Sequence, residues 1–365
     1  MSLVDLELNN IFSSITDLAE PSFKEYETTN YIDNYLKKIG FSDYKRYDTG
    51  IYGTINLGKK ETVAIRADID ALPYDLTRNI YKHLCGHNLH LSALLSTLVL
   101  ISRNVIKPKV NLRYIFQPAE EIISGANFMI KNGCMKGVKK IYALHVDPEV
   151  EFGTIGLKDG PIMAGSKHFK ITFNGKGTHA AYPHKGSDLI VASSIFITNV
   201  QTIVSRKINP IKSAVISFGK IEGGTAANIL PPNLTILGTF RFLDNETRDV
   251  IEKSLKLYLK SISKQFDIIA NIEISEGTYP VINDANLVKK LKEICKRENI
   301  NYSTEIPTSM GGEDFCFYSK YAPSLFMRLG IKTKDTFPLH NPNFFIPEGT
   351  LENGVRLWKG VLENE

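Results

Sequence analysis

The apolar positions of this chain switch repeatedly between the 3.6-residue spacing of helices and the short β-branched runs of strands. In the first part of the chain they predict helices over Glu25–Ile39 and Leu89–Ile101, and strands over Gly53–Leu57, Thr62–Ala67, Val110–Phe116 and Lys140–Leu144. The two runs on either side of Gly58-Lys59-Lys60 predict a hairpin-like strand pair. Strands that alternate with helices are typical of a mostly parallel sheet, whose ligands gather at the carboxyl ends of the strands. Asp68, Glu120 and His145 are predicted to lie at such ends.

From about Ser166 the pattern changes. It predicts strands over Phe169–Phe173, Ala214–Phe218, Thr235–Phe242 and Ile268–Ile274, with helices over Leu189–Val204 and Arg248–Ser263. This β-α-β-β-α-β order is the split βαβ pattern of a small two-layer domain. After Pro280 the chain returns to a helix at Ala285–Arg297. We therefore predict a first domain built from residues 1–165 and 281–365, with a smaller domain inserted at 166–280.

Composition narrows the classes of function. The chain has 365 residues, of which 43% are hydrophobic, and this length has room for two domains. Lys and Arg (44) exceed Asp and Glu (39) only slightly and form no basic arm, so we expect no nucleic-acid partner. The acidic start Met1–Glu7 does not resemble a secretory signal, and no apolar stretch approaches a membrane span of about 20 residues. The four cysteines are too few for a disulfide framework, so we expect a soluble cytoplasmic protein without a membrane partner.

Five side chains are candidate metal ligands: Cys85, His87, Glu121, His145 and His340. Each one alone has a structural explanation, such as a buried free cysteine or a solvated histidine, and only their joint placement favours a site. The pair Glu120-Glu121 follows an apolar strand and a proline, which predicts that it is partly buried. Adjacent acids there repel one another unless a cation compensates them or one is protonated.

Several motifs carry a resemblance to a known family. They are Arg66–Pro73, Cys85-Gly86-His87, Phe116–Glu121, Ala143-Leu144-His145, Gly175–His184, Gly223–Asn228, Met310–Phe315 and Leu339-His340. In this order, from about Phe23 to His340, they resemble the aminoacylase/carboxypeptidase amidohydrolases, a family of binuclear metal hydrolases. That family includes hippurate hydrolases, indole-acetyl-amino-acid hydrolases and N-acetyldiaminopimelate deacetylases. The resemblance implies an α/β, zinc-peptidase-like catalytic domain, with a mostly parallel sheet flanked by helices, and an inserted ferredoxin-like lid or dimerisation domain.

The resemblance also implies roles for the first domain's candidates. Cys85 would bridge two divalent metal ions, with His87 and His145 completing one site and Glu121 and His340 the other. The preceding glutamate, Glu120, would be the catalytic acid/base. A thiolate among histidines and carboxylates favours zinc over magnesium or calcium, with manganese or cobalt as alternatives.

In the inserted domain, His179 resembles the histidine that reaches across a homodimer to the reacting carbonyl. Asn228 and Arg241 match positions that hold the substrate carboxylate, although Arg241 could instead pair with an acid and Asn228 could cap a turn. The implied partners are a small N-acyl amino acid or short peptide and a second copy of the chain, joined through the inserted domain. Asn88 departs from the family pattern, which usually has Asp after Cys-Gly-His, so we expect altered metal affinity.

Four functions are compatible with these residues. The first is metal-dependent hydrolysis of the amide bond of N-acyl amino acids, which releases a carboxylic acid and a free amino acid. The second is a metallocarboxypeptidase acting on short peptides with the same metals. The third is a thiol hydrolase with Cys85 as nucleophile and His87 as base. The fourth, motivated by Asn88, is an inactive homologue that binds amino-acid-like ligands without turnover.

Overall fold

The computed structural model describes residues 3–365 of the chain. Its α-helices are α1 (Leu3–Thr16), α2 (Tyr26–Lys38), α3 (His87–Ser102), α4 (Gly125–Lys131), α5 (Leu189–Thr202), α6 (Asn245–Phe266), α7 (Ala285–Arg297) and α8 (Thr350–Asn364). Its strands are β1 (Tyr44–Arg46), β2 (Ile51–Ile55), β3 (Thr62–Asp68), β4 (Leu72–Asp75), β5 (Ile80–Lys82), β6 (Asn111–Gln117), β7 (Lys140–Glu151), β8 (Ile155–Gly156), β9 (Gly160–Met163), β10 (Gly165–Asn174), β11 (Thr178–His179), β12 (Ala214–Gly223), β13 (Ile229–Leu230), β14 (Asn233–Phe242), β15 (Ile269–Ile274), β16 (Val281–Asn283), β17 (Tyr302–Ser303) and β18 (Ser324–Lys332). A π-helical turn at Ile203–Lys207 follows α5, and 3-10 turns occupy Pro183–Lys185 and Asp314–Lys320.

The chain forms two compact units, which are described separately. The first contains the described residues up to Ile162 together with Val281–Pro307 and Asp314–Glu365. The second contains Met163–Pro280 and the short segment Thr308–Glu313. That short segment was predicted to belong to the returning part of the first domain, whereas the structure groups it with the second unit.

An eight-stranded sheet organises the first unit, in the order β1-β2-β6-β3-β7-β18-β8-β17. Its centre is parallel, because β3 runs parallel to both β6 and β7, and β18 runs parallel to β7. Helix α3 is apolar on nearly all sides, and every residue from His87 to Ile101 is buried. The first unit is thus an α/β layer structure, which confirms the predicted fold class.

The predicted hairpin between the second and third strands is wrong. Strand β6 lies between β2 and β3: it pairs antiparallel with β2 and parallel with β3. The side-chain oxygen of Asn111, the first residue of β6, accepts the backbone N–H groups of Leu57 and Lys59 at 2.8 and 3.0 Å. The short connection therefore passes around the start of β6 instead of closing a hairpin.

Several elements differ from the prediction. Helices α1, α4 and α8 were not predicted, and α1 and α8 pack against α3. Ile11 and Ile15 of α1 are fully buried, as is Trp358 of α8, which is 1% exposed. Strand β7 extends well past Leu144, so His145 lies inside this strand instead of at its end.

The second unit follows the predicted β-α-β-β-α-β order with β10, α5, β12, β14, α6 and β15. Its sheet is antiparallel throughout, in the order β12-β14-β10-β15. Apolar residues of α5 and α6, such as Phe196 and Leu255, share a buried core with the inward residues of the strands, such as Phe240. This is the ferredoxin-like arrangement that the sequence predicts.

One helical segment of the second unit, Leu189–Lys207, is long and apolar enough to cross a membrane by length and composition alone. The prediction that no apolar stretch approaches the length of a membrane span did not include this segment. In the structure its buried side chains, Leu189, Phe196, Val200 and Ile203 among them, belong to the core against the sheet. Buried residues make up 33% of its most apolar stretch, and other apolar side chains, such as Ile190 and Val191, are exposed.

Candidate metal centre

The site begins where parallel strands end side by side. Asp68, the last residue of β3, pairs in register with Gln117, the last residue of β6. The segment Cys85-Gly86 then leads directly into α3, which starts at His87. Gly86 has φ +84°, and a Cβ on it would lie 2.3 Å from a methyl carbon of Val146, so only glycine fits this turn.

Cys85 lies at the centre of the cluster and is 8% exposed. Its Sγ is 3.4 Å from His145 Nε2 and 3.4 Å from His340 Nε2. The loop that carries His340 is held in place because its backbone N–H donates to the Leu84 carbonyl at 2.8 Å. The Cys85 thiol is therefore the point where β7, which carries His145, meets the loop that carries His340.

The potential ligand atoms form two groups that share Cys85. One group is Cys85, His87 and His145; the other is Cys85, Glu121 and His340. Within each group the ligand atoms all lie within 4.8 Å of one another. A thiolate common to two three-residue groups is the arrangement in which one sulfur can bridge two ions.

Two buried polar atoms in the cluster test whether a metal would fit. Among the described residues, His87 Nε2 and Glu121 Oε1 have no hydrogen-bond partner, and they lie 3.8 Å apart. The other ring nitrogen of His87 is occupied, since it lies 2.9 Å from the Asp70 carbonyl oxygen and 3.2 Å from its Oδ1. The contacts of Nδ1 therefore orient the ring so that Nε2 is the nitrogen directed toward the cluster, as in a metal-ligating histidine held by its other ring nitrogen.

The pKa values of the buried side chains in this cluster also fit a bound cation. Burial raises the pKa of the Cys85 thiol well above its usual range, and burial raises the pKa of Glu121 to about 7. Burial alone would lower the pKa of His87, but the carboxylates of Asp68 and Asp70 raise it well above its usual value. Buried donors of this kind become good ligands only beside a positive charge, which favours the thiolate and the carboxylate.

Glu120 lies next to the ligand groups. It is 7% exposed, and one of its carboxylate oxygens lies within 4.8 Å of ligand atoms of both His87 and Glu121. The turn that carries it starts at Ala119, whose φ is +55°, an uncommon backbone conformation for a residue other than glycine. After Glu120, the Glu121 N–H donates to Asp70 Oδ2 at 3.0 Å, and this bond fixes the backbone on the other side of Glu120.

The remaining candidates lie in the second unit. His179 is exposed in β11 and pairs with Ile229 of β13, and the next N–H, of Ala180, donates to the Asn228 carbonyl at 2.9 Å. This short ladder brings His179 and Asn228 together. Arg241 lies farther along, on β14.

Arg241 is half-buried and has no ion-pair partner within the part of the chain that the structure describes. It faces Ser166 across the β10–β14 pair, and Ser166 is 1% exposed with a hydroxyl that has no hydrogen-bond partner among the described residues. A buried hydroxyl beside a guanidinium that has no ion-pair partner is suited to binding an anion.

Asn88 is buried directly after His87. Its amide nitrogen donates to Thr16 Oγ1 at 2.9 Å, which connects α3 to the end of α1. The residue that departs from the family pattern therefore has a structural partner in this chain.

Comparison with known proteins places this geometry in a family. The model of Peptidase family M20/M25/M40 matches residues 64–364, which is most of the chain. The chain belongs to this peptidase family. The resemblance inferred from the motifs is thereby confirmed.

Relatives and solved structures of the M20/M25/M40 family cover almost the whole chain. An N-acetyl-L-cysteine deacetylase of Bacillus subtilis (strain 168) is 35% identical over 95% of this chain and 85% of the relative. An N-acetyldiaminopimelate deacetylase of Lactococcus lactis subsp. cremoris (strain SK11) is 33% identical over 96% of each chain. The crystal structure of a dinuclear metal binding peptidase of the M20 family from Bacillus subtilis superposes with a TM-score of 0.85 at 28% identity, covering 99% of both chains.

Sequence reasoning missed the buried layer behind the ligands of this M20/M25/M40 chain. Arg66 joins Asp68 and Asp314 through contacts of 2.6 and 2.8 Å, and all three side chains are fully buried. His90 lies 2.6 Å from Asp68 through Nδ1, and its Nε2 accepts the Val146 N–H at 3.0 Å. The available signal was the spacing of the second histidine, one helical turn after His87.

The tautomer of His145 follows from a contact with the same residue, Val146. Its Nδ1 lies 2.8 Å from the Val146 carbonyl oxygen, and only a protonated nitrogen can donate there. The proton on Nδ1 leaves the Nε2 lone pair directed toward Cys85. Val146 thus fixes the rings of both His90 and His145.

Proposed function

We propose that this chain is a metal-dependent amidohydrolase that cleaves the amide bond of N-acyl amino acids, releasing a carboxylic acid and a free amino acid. The observation that carries the proposal is the pair of ligand groups sharing Cys85, with Glu120 beside them. Deacetylases of N-acetyl-L-cysteine and N-acetyldiaminopimelate among the relatives support this substrate class.

Cys85 would bridge two divalent ions, with His87 and His145 on one side and Glu121 and His340 on the other. The dinuclear M20 peptidase of similar structure and the unpartnered nitrogen of His87 support this assignment. Zinc is the ion proposed, because a thiolate with imidazole and carboxylate donors suits it better than magnesium or calcium. When bound, such ions supply Lewis-acid polarisation and activation of water.

Glu120 would move the protons of the reaction. A carboxylate in this position accepts a proton from the attacking water and later donates one to the leaving amine nitrogen, a role worth about 10²- to 10⁴-fold in rate. The turn from Ala119 to Glu121 is already fixed by its surroundings, so the Glu120 carboxylate does not have to be oriented when the substrate binds. In the second unit, Arg241 and Asn228 would hold the substrate carboxylate, and His179 of the partner subunit would approach the reacting carbonyl.

Replacing Glu120 with glutamine tests the mechanism. We expect turnover of an N-acetyl amino acid to fall by at least about 10²-fold while the content of bound metal is unchanged. Glu149→Gln is the matched control, because Glu149 is an exposed glutamate of the same unit, and its activity should equal that of wild type. Wild-type-like turnover in the Glu120 variant would refute the assigned role.

Metal dependence is tested separately. Chelator-treated protein should lose turnover and regain it with zinc, and reconstitution with manganese or cobalt identifies the alternatives. Activity that survives chelation but is abolished by iodoacetamide would instead support a thiol hydrolase with Cys85 as nucleophile. A metal-loaded wild-type protein that turns over none of the acylated amino acids or dipeptides would support an inactive binding homologue.

A metallocarboxypeptidase acting on short peptides is the second candidate. It is supported by the same uncompensated Arg241, because a free carboxylate is common to an N-acyl amino acid and to the end of a peptide. Turnover of N-acetyl amino acids, hippurate, N-acetyldiaminopimelate and dipeptides, compared at equal concentration, separates the two. A preference for dipeptides would replace our first assignment.

We also propose a cytoplasmic homodimer that assembles through the second unit. Its edge strand β12 exposes Val215 and Ile221, and α5 exposes Ile190 and Val191, a combination of edge and apolar surface that a partner can cover. All four cysteines are free thiols, as in a reducing compartment. Light scattering after size exclusion should give twice the chain mass, and a monomer at micromolar concentration would contradict the dimer.

A further inference from the structure

The turn that carries Glu120 is held in a strained conformation. Ala119 and Ile123 have φ values of +55° and +57°, in the left-handed region that residues with a side chain rarely adopt. Within the turn, the Ile123 N–H donates to the Glu120 carbonyl at 2.7 Å. Strained residues persist only where their surroundings determine the backbone.

The surroundings of this turn leave little freedom. A Cβ on Gly50 would lie 2.7 Å from the Pro118 ring, and one on Gly125 would lie 1.5 Å from the Pro118 carbonyl oxygen. The Ala119 carbonyl accepts the N–H groups of Ser124 and Gly125 at 3.2 and 3.0 Å. Sterics and internal bonds therefore close the turn, but neither of them engages the N–H of Ala119.

That N–H has one acceptor, the carboxyl group of Glu25, at 2.8 Å from Oε1. Glu25 is 0% exposed, and its Oε2 has no hydrogen-bond partner among the described residues. An acid buried in this way is unfavourable for stability, and an apolar side chain of similar size would avoid the cost. The same carboxyl group receives hydrogen bonds from the backbone of Phe23 and Glu25, next to it in the chain, and from the Ala119 N–H, directly before Glu120.

Glu25 is one of three buried acids that bind backbone N–H groups of this loop. Asp70 accepts the Glu121 N–H at 3.0 Å, and Asp314 accepts the Ala126 N–H at 2.8 Å. The first acid thus fixes the residue before Glu120, the second the residue after it, and the third the start of α4. Asp70 and Asp314 also contact the charged side chains of His87 and Arg66, whereas the Glu25 carboxyl binds backbone groups, and the Ala119 N–H is its contact in this loop.

We propose that Glu25 is a positioning residue for Glu120, which accepts the Ala119 N–H and thereby holds the left-handed turn that orients the acid/base carboxylate. This inference rests on the proposed function. Burial, with the nearby charge of Asp70, raises the pKa of Glu25 to about 8, so its carboxyl group carries a proton at neutral pH. A neutral side chain that keeps the acceptor oxygen should therefore serve equally well.

Three variants test the assignment in the metal-loaded protein. Glu25→Met removes the acceptor, and we expect kcat to fall about 10- to 100-fold, since a displacement of about 1 Å can cost 10²-fold. KM and metal content should change less than about twofold. Glu25→Gln keeps the acceptor and should restore kcat to within about threefold of wild type. Leu36→Ala, which removes a fully buried side chain from α2, the helix that directly follows Glu25, should leave kcat unchanged.

Hydrogen exchange gives a readout that does not depend on turnover. Peptides that cover residues 117–126 should exchange faster in Glu25→Met than in Glu25→Gln or Leu36→Ala. If Glu25→Met fails to fold, Glu25→Asp takes its place, because its carboxylate is one methylene shorter and should give the same fall in kcat and the same faster exchange.

Four results would overturn the proposal. They are an unchanged kcat in Glu25→Met, an equal loss of kcat in Glu25→Gln, an equal loss of kcat in Leu36→Ala, and a loss of kcat in Glu25→Met that is explained by a loss of bound metal. A wild-type protein without amidase activity would instead refute the proposed function, and the exchange experiment would still decide whether Glu25 holds the turn.

Discussion

Arg66 offers the sharpest test of how the metal centre is supported. Its side chain is fully buried, with Nη1 at 2.6 Å from Asp68, Nη2 at 2.8 Å from Asp314, and Nε donating to Gln117 Oε1 at 2.8 Å. Arg66→Met fills most of the same space but leaves two buried carboxylates without their cation. Removing one partner of a buried ion pair costs about 3–5 kcal/mol in unfolding free energy.

Arg66→Met affects two carboxylates, but their remaining hydrogen bonds keep the expected loss of unfolding free energy within the range given for a single ion pair. Asp314 still accepts the Ala126 N–H at 2.8 Å and the Gln117 side-chain amide at 2.9 Å. Asp68 still contacts His90 Nδ1 at 2.6 Å. Each acid thus loses its guanidinium partner but keeps at least one donor.

The chain provides its own probe for this measurement. Its one tryptophan, Trp358, lies in α8 and is 1% exposed in the core of the first unit, so its fluorescence reports the unfolding of that unit. With a urea dependence of about 3 kcal/mol per M, a loss of 3–5 kcal/mol lowers the midpoint by about 1 to 1.7 M. Lys332→Met is the matched control, because its ion pair with Glu151 is exposed and should contribute less than about 1 kcal/mol. A shift in Arg66→Met no larger than that of the control would refute the reasoning.

Three further predictions follow from single contacts. Asn88→Asp should lower the unfolding free energy by about 1–3 kcal/mol in the same assay. The Thr16 hydroxyl accepts a hydrogen bond from Asn88 and donates its own proton to the Phe12 carbonyl, so it has no proton left for an aspartate. An unchanged urea midpoint at pH 7 would contradict this. Glu25 has a raised pKa of about 8, so between pH 4.5 and 8 the folded state binds a proton that the unfolded state lacks, and stability falls as pH rises. Glu25→Gln should therefore gain stability over wild type from pH 5 to pH 8, and a difference independent of pH would oppose it. Arg241→Met should raise KM about 10- to 100-fold with little change in kcat, from the loss of a charged contact of about 1.5–3 kcal/mol, and steady-state kinetics with an N-acetyl amino acid checks it.

Local patterns predicted the elements whose signals are local. Helix α7 occupies the predicted Ala285–Arg297, because its buried face repeats at helical spacing and the Asp284 side chain caps its first turn. The order of elements in the second unit was predictable for the same reason. Helix α1 carried a similar signal in Ile11 and Ile15, but near the N-terminus the prediction considered only whether Met1–Glu7 resembles an export signal.

Pairing between distant segments could not be predicted in the same way. The hairpin was predicted because β2 and β3 are neighbours along the chain, yet the strand between them comes from residues Asn111–Gln117. A strand's own sequence does not specify which edge it will join, since that choice depends on the sheet it completes. His145 shows a related limit: β7 continues past it because β18 supplies a partner through Lys332.

The candidate metal ligands could be predicted from the sequence, whereas the buried acids that support them could not, and the reason is chemical. A thiol, imidazoles and paired acids at strand ends are recognisable by residue type, whereas Glu25 and Asp314 act on backbone N–H groups, and any acceptor in the right place could do so. What distinguishes them is burial together with a partner that is distant in sequence: 94 positions separate Glu25 from Ala119 and 188 separate Asp314 from Ala126. Motifs therefore identify the candidate metal ligands, but the residues that hold the turn of Glu120 are recognisable only when the chain is folded.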